Sequence, residues 1–382
     1  MTTVSAHRDV IDQLYQDLLF GYQPAARPVQ HPKDILRVNF GAYLVSIQNV
    51  DEKNQILTTS LWLELTWFDK RLVWDPEVYD NITMVNLPSK KVWLPDLVLD
   101  NNAAGTPQIT TYTEVKVRHD GTVRWNPPAI YQSYCAVTVT WFPYDEQRCR
   151  LKFIVWTYDG DYVDLQFHSS VVTTIQPGNV VHSERGMDLS FYAQSAEWDL
   201  LETTATRNEK IYPGCCGLKI YYDITYQLSL RRMTLFYTVN LIMPSIMISL
   251  LSMLTFYLPS DSFEKITLSI SIHISLSYMF LLLWDIIPPT SLSLPMLLRY
   301  ILFDLIMVSA SIAVTIVQLS FHYKEGLHSE MPGWVRQLFL VRLARILGVE
   351  KPEDEDEEDD GIENNLSPKL LEHTDSNSLG AR

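Results

Sequence analysis

Cysteine is scarce in this chain: four in 382 residues, Cys135, Cys149, Cys215 and Cys216, with none beyond residue 216. No C-x-x-C spacing occurs among them, so a thioredoxin-like redox function finds no support. No nucleophile–base pair or metal-ligand cluster stands out either, so the chain is not expected to be an enzyme or to carry a cofactor or a metal. Positive charge is also short, with 30 Lys and Arg against 45 Asp and Glu and a net charge of −15. Nothing in that balance suggests a nucleic-acid partner, and none is expected. Much of the excess sits in one run, Glu353 to Asp360, so the rest is only mildly acidic. Residues 1–30 lack an apolar signal core, which a domain outside the cell calls for, so a mature or engineered sequence is expected.

What is present is aromatic and β-forming. Ten tryptophans and twenty tyrosines suit a large β domain or binding surface. More than one domain is expected at this length. Residues 7–20 space Val10, Leu14, Leu18 and Leu19 as a short amphipathic helix. From Ile35 to about Leu230, short β-rich runs alternate with Asp, Asn, Gly and Pro turns, and helix-forming stretches are almost absent. Such spacing predicts an all-β, immunoglobulin-like sandwich. All four cysteines precede the first apolar span, which places the sandwich in an oxidising, extracellular compartment. Asn81-Ile82-Thr83 is a glycosylation sequon that fits an outside face.

At Arg231-Arg232 the composition switches, and three spans at about 234–258, 265–287 and 294–322 are long and apolar enough to cross a bilayer. The expected organisation is an extracellular domain over 1–231 and a transmembrane helical domain over 232–323. A cytoplasmic amphipathic region over 324–349, rich in Arg, and a disordered acidic tail over 350–382 follow. The protein is thus expected at the plasma membrane, multi-pass, with the C-terminus in the cytosol.

The second span is the informative one. Thr267, Ser269, Ser271, His273, Ser275 and Ser277 alternate with apolar residues, which locally suggests a strand. A lone strand cannot cross a membrane with its backbone unpaired, so a helix is predicted. Steps of three and four then put Glu264, Thr267, Ser271, Ile274, Tyr278, Leu281 and Asp285 on one seam. Around a symmetry axis, that seam places acidic rings at both mouths and an apolar girdle between them, as in a cation pore. Asp304 in the third span is expected to pair with Arg299 or His273, or to reach the interface.

Cys135 and Cys149 enclose AVTVTWFPYDEQR at a spacing that a disulfide could close. Adjacent Cys215-Cys216 serve poorly as a staple, and a vicinal disulfide there marks a site. Tyr212, Tyr221, Tyr222 and Trp156 cluster around it in sequence without a basic partner, a set suited to an organic cation.

These motifs together, CAVTVTWFPYDEQRC, WLPDLVLDNNAAG, WTYDG, the Cys215-Cys216 pair and EKITLSISI, resemble the Cys-loop pentameric ligand-gated ion channels, closest to the nicotinic acetylcholine receptor branch. The resemblance covers about residues 7–345. It implies a pentamer, homomeric or with related subunits, that binds a small cationic amine between subunits and passes Na and K, with Ca left open. It implies a principal face of Trp156, Tyr212, Tyr221, Cys215 and Cys216, and a complementary face of Trp62 with Arg124 and Asn126 nearby. For coupling it implies a Glu52–Arg232 pair, with Phe142, Pro143 and the linker after Ile287 transmitting movement. Four departures stand out. Asp100 replaces a tyrosine, removing one wall of the aromatic box and adding charge, and Tyr212 lies three residues before Cys215 rather than two. Phe263 replaces a glycine while Tyr278 brings a bulky ring to the seam, and no fourth apolar span follows in this sequence.

Overall fold

A computed structural model describes residues 2–168, 174–176, 180–259, 264–287 and 294–322, with isolated positions at 333, 337, 342 and 343. Helix α1 (Thr2–Leu19) turns Leu14 and Leu18 into the core, as the amphipathic spacing requires. Among the described residues, thirteen strands follow in two sheets.

The first sheet is built on two long strands, β1 (Leu36–Asp51) and β2 (Ile56–Val73), paired antiparallel with Tyr43 opposite Trp62. Around them pack β3 (Met84–Leu87), β5 (Val115–Arg118), β6 (Asp120–Trp125), β7 (Pro128–Tyr134) and β9 (Val163–Phe167). Strand β2 changes partner along its length, pairing β7 up to Trp62 and β6 from Leu65. The second sheet runs β10 (Thr174–Gln176), β11 (Val180–Ser183), β12 (Trp198–Ile211), β13 (Ile220–Arg232), β8 (Glu146–Val155) and β4 (Leu97–Leu99). Burial alternates residue by residue along β7 and β8, the signature of a half-buried strand.

Aromatic rings join the two sheets. Phe40 of β1 meets Phe153 of β8 edge to face at 5.1 Å, and Tyr131 of β7 meets the same ring at 5.3 Å. Each such pair contributes about 0.5–1.5 kcal/mol beyond its area burial. The Cys135–Cys149 disulfide ties the end of β7 to β8, so the expected bridge is formed and spans the sheets. The side chains of Cys215 and Cys216 lie outside the described residues.

Below the sandwich, the described residues include three helices long and apolar enough to cross a membrane: α2 (Leu235–Tyr257), α3 (Glu264–Ile286) and α4 (Met296–His322). Pro244 sits in α2, where it has no N–H to donate to the carbonyl one turn earlier. The helix widens to a π-turn over Thr238–Ile242, just ahead of it. In α3 the alternating hydroxyls satisfy themselves. Ser271, Ser275 and Ser277 donate to the carbonyls of Thr267, Ser271 and His273 at 2.8–2.9 Å. A helix bearing that many hydroxyls is therefore compatible with lipid depth. Asp304 pairs with neither Arg299 nor His273, contrary to expectation. It accepts a hydrogen bond from Ser249 of α2, which also lies 2.7 Å from the Tyr300 hydroxyl, while His273 faces Ser309 at 3.4 Å. A hydroxyl on the adjoining helix was the nearer donor.

Candidate functional site

Three groups of residues that the sequence singled out lie at different heights of the molecule. The first is on the second sheet. Trp156 directly follows β8 and is largely exposed, and Tyr212 and Tyr221 flank the turn between β12 and β13 with ring centroids 5.9 Å apart. Gly160 of WTYDG permits the close approach of this hairpin, because a Cβ there would stand 2.8 Å from the Tyr222 ring and 2.9 Å from the Ile220 carbonyl. Its own N–H donates to that carbonyl at 2.7 Å.

Asp100 is present at this cluster but does not act there as a lone negative charge. Lys152 of β8 donates to it at 2.6 Å and to the Tyr212 hydroxyl at 3.1 Å, with its ammonium 5.8 Å from the Tyr212 ring centroid. Burial alone would lower the Lys152 pKa, but Asp100 and Tyr212 outweigh it and the net shift is upward. The expectation that Asp100 adds negative potential is thus corrected: its charge is matched by a lysine. The aromatic cluster does have a basic partner. Outward alternation along CRLKFIV could have placed Lys152 on this face, but nothing in the sequence aimed it at Asp100.

The second half-site lies on the other sheet. Trp62 is part-exposed on β2 and packs against Phe191 at 4.8 Å. Two residues along the same face is Glu64, a buried carboxylate that accepts from the Tyr43 hydroxyl at 2.9 Å and pairs with Arg124 at 3.2 Å. Burial and the Glu64 bond raise the Tyr43 pKa. Asn126 is exposed beyond the end of β6. Glu64, Tyr43 and Phe191 went unnoticed in the sequence. Because Trp62 and Trp156 stand on outward faces of opposite sheets, one chain does not bring the two halves together.

At the base of the sandwich sits Arg232, the last residue of β13. It donates to Glu52 at 2.6 Å, as expected, and also to both oxygens of Asp145 at 2.8 and 3.0 Å. Both the Arg232 and Asp145 side chains are 2% exposed. Burial disfavours the guanidinium charge, yet the two carboxylates hold its proton more tightly than usual and the pKa is raised. The cation also lies 4.3 Å from the Trp198 ring centroid and 5.0 Å from that of Phe142. Phe142 and Val139 pack in one apolar cluster with Leu241 of α2, Met279 and Leu283 of α3 and Ile301 of α4. Pro143 is buried beside Phe142, and the linker after Ile287 lies outside the described residues.

The third group is the seam of α3. All seven expected residues, Glu264, Thr267, Ser271, Ile274, Tyr278, Leu281 and Asp285, are exposed, while Ile272, Leu276, Met279 and Leu283 turn inward. Tyr278 is 62% exposed and Leu276 is 0%. Asp285 also accepts from Lys53 of the β1–β2 turn at 3.2 Å, a link the sequence did not suggest. Phe263 lies outside the described residues. The Asn81 sequon side chain is exposed in a turn, with a left-handed φ of 57°.

Comparison with known proteins agrees with this architecture. The neurotransmitter-gated ion-channel ligand-binding domain matches residues 11–234, and the neurotransmitter-gated ion-channel transmembrane region matches residues 241–380. An acetylcholine receptor subunit alpha-like protein of Manduca sexta is 47% identical over 89% of this chain and 64% of its own length. Acetylcholine receptor subunit alpha-type unc-63 of Caenorhabditis elegans is 45% identical over 91% of this chain and 71% of its own. Neuronal acetylcholine receptor subunit alpha-2 of Rattus norvegicus is 42% identical over 92% and 66% respectively. The chain thus spans about two thirds of the length of these relatives. On both domains and on identity, the chain belongs to the neurotransmitter-gated ion-channel family.

Proposed function

We propose that this chain is a subunit of an agonist-gated, cation-selective channel, with its sandwich outside the cell and α3 lining the pore. The observation that carries the reading is the uncovered seam of α3, acidic at both ends with two hydroxyls and then an apolar and aromatic stretch between, on a helix whose other face is packed by its own chain. Five copies around an axis, identical or related, would close that face into a pore; Glu264 and Asp285 would concentrate cations such as Na and K at its mouths. The agonist site forms between neighbours, because the Trp156, Tyr212, Tyr221 cluster and the Trp62, Arg124, Asn126 group lie on opposite sheets. Asp100 and the Cys215-Cys216 pair belong to the same principal face. The ligand is a small cationic amine, since π faces attract cations by about 0.5–2 kcal/mol per contact. Glu52, Arg232, Phe142 and Pro143 carry movement from sandwich to spans.

The test is current recorded from membranes expressing the chain, with an amine panel applied and reversal potentials taken under sodium and chloride dilution. A reversal potential that follows chloride would overturn cation selectivity. A second reading, a ligand-binding subunit that conducts only beside other subunits, is favoured by Tyr278 on the seam and by the cation already held at Tyr212. Silence alone and current on co-expression would select it.

A further inference from the structure

Beyond the Lys152–Asp100 pair, the outward face of the second sheet carries a feature that the channel reading does not use. A groove of about 730 Å³ runs across β8, β13 and β12 between the end of β7 and the β12 terminus. Four cations line it, Arg148, Arg150, Lys152 and Lys210, and no carboxylate does. In a chain of net charge −15 this is a local inversion of sign. Arg148, Arg150 and Lys152 alternate along one strand, so their side chains leave the same face roughly 6.7 Å apart. Lys152 is already held by Asp100, and Lys210 lies 3.9 Å from Asp223. Among the described residues, Arg148 and Arg150 have no carboxylate within ion-pair distance. Their two guanidinium forks are therefore available to an outside anion.

The floor between these cations narrows the chemistry. Thr225 and Gln227 of β13 lie opposite Thr206 and Thr204 of β12, giving a flat field of hydroxyls and an amide. Tyr134 stands at the rim, 53% exposed. An acidic peptide would use the cations but leave most of these hydroxyls and the amide without partners. A saccharide needs donors and acceptors for its hydroxyls, a ring face to lie against and, if sulfated, planar forks to meet its charges. We propose that this groove is a binding site for a sulfated saccharide chain, with Arg148 and Arg150 as its principal charge contacts. The proposal does not rest on the channel reading.

The experiment uses the full chain in detergent micelles at physiological ionic strength, with a heparin-derived octasaccharide as probe, measured by calorimetry. Comparison arms are the same octasaccharide with its sulfates removed and a poly-glutamate peptide. The expected result is binding of the sulfated probe alone, weakened roughly tenfold or more in the Arg148→Gln/Arg150→Gln double variant. The Arg148→Lys/Arg150→Lys variant should keep the charge but lose part of the affinity. Peptide mapping of the Cys135–Cys149 bridge in each variant checks that the groove is still folded. No binding by the unmutated chain, equal binding of the desulfated probe or of poly-glutamate, or unchanged affinity in a correctly bridged Gln variant would each overturn the proposal.

Discussion

Removal of Arg232 should damage this protein more than removal of either acid it holds, and the geometry says by how much. Arg232→Ala leaves Asp145 buried without its cation, since that side chain is only 2% exposed. Breaking a buried pair by deleting one partner costs about 3–5 kcal/mol. The guanidinium also lies over Trp198 and Phe142, adding about 0.5–2 kcal/mol for each desolvated contact. Glu52→Gln is milder. The Glu52 side chain is 16% exposed, and an amide oxygen can still accept, so the loss is about 1–2 kcal/mol. Asp145→Asn should fall between the two. At about 2–4 °C per kcal/mol for a domain of this size, the broken pair alone should lower the melting temperature of Arg232→Ala by roughly 6–20 °C, and the lost ring contacts add to that. The assay is thermal unfolding of the solubilised chain, with a double-mutant cycle over Arg232 and Asp145 to isolate their coupling. A loss under about 1 kcal/mol for Arg232→Ala, or equal losses for Glu52→Gln and Asp145→Asn, would show that burial does not govern this joint.

Further outcomes follow from the other groups. Cys149→Ser should cost about 3 kcal/mol by freeing a loop of 14-residue separation, and surface labelling should fall accordingly. Asp100→Asn should raise the half-effective concentration of a cationic amine about tenfold or more, because Lys152 then presents an unmatched charge beside Tyr212, and adding Lys152→Gln should reverse the loss. Unchanged dose–response curves in both variants would remove the pair from the site. Ile274→Thr or Tyr278→Ala should destabilise the closed pore, seen as higher agonist sensitivity or leak, since five apolar side chains can stop ions by dewetting. Normal gating in both would move the constriction elsewhere.

What could be read from the sequence depended on how local its cause was. The three spans were legible because a run of more than twenty predominantly apolar residues satisfies a single physical requirement. The observed Leu235–Tyr257, Glu264–Ile286 and Met296–His322 fall within two residues of the expected limits. The seam was legible because helical periodicity alone determines which residues share a face. The sandwich was legible from its turns and alternation, though not its strand order, which depends on pairings such as β1 with β9 across more than a hundred residues. Partners set by tertiary approach were not, apart from Glu52 and Arg232, which the family resemblance implied. Asp145 reaches Arg232 across 87 positions, Lys152 reaches Asp100 across 52, and Ser249 reaches Asp304 across 55. In each case a polar residue took the donor or acceptor that folding brought nearest, and no short-range pattern encodes that.

The Lys53–Asp285 contact has a different character from the Arg232 cluster that it lies near. Its side chains are 53% and 84% exposed, so the pair contributes about 0–1 kcal/mol and weakens further with salt. Thermal energy opens such a pair on a fast timescale, whereas the buried guanidinium stays clamped. The Tyr144 hydroxyl, 3.1 Å from that of Thr238, is a further link between sandwich and helices. If the proposed coupling moves the sandwich over the helices, the Lys53 ammonium can let go of its carboxylate while the Arg232 cluster stays intact. The ease of that exchange is then set by the ions dissolved around it.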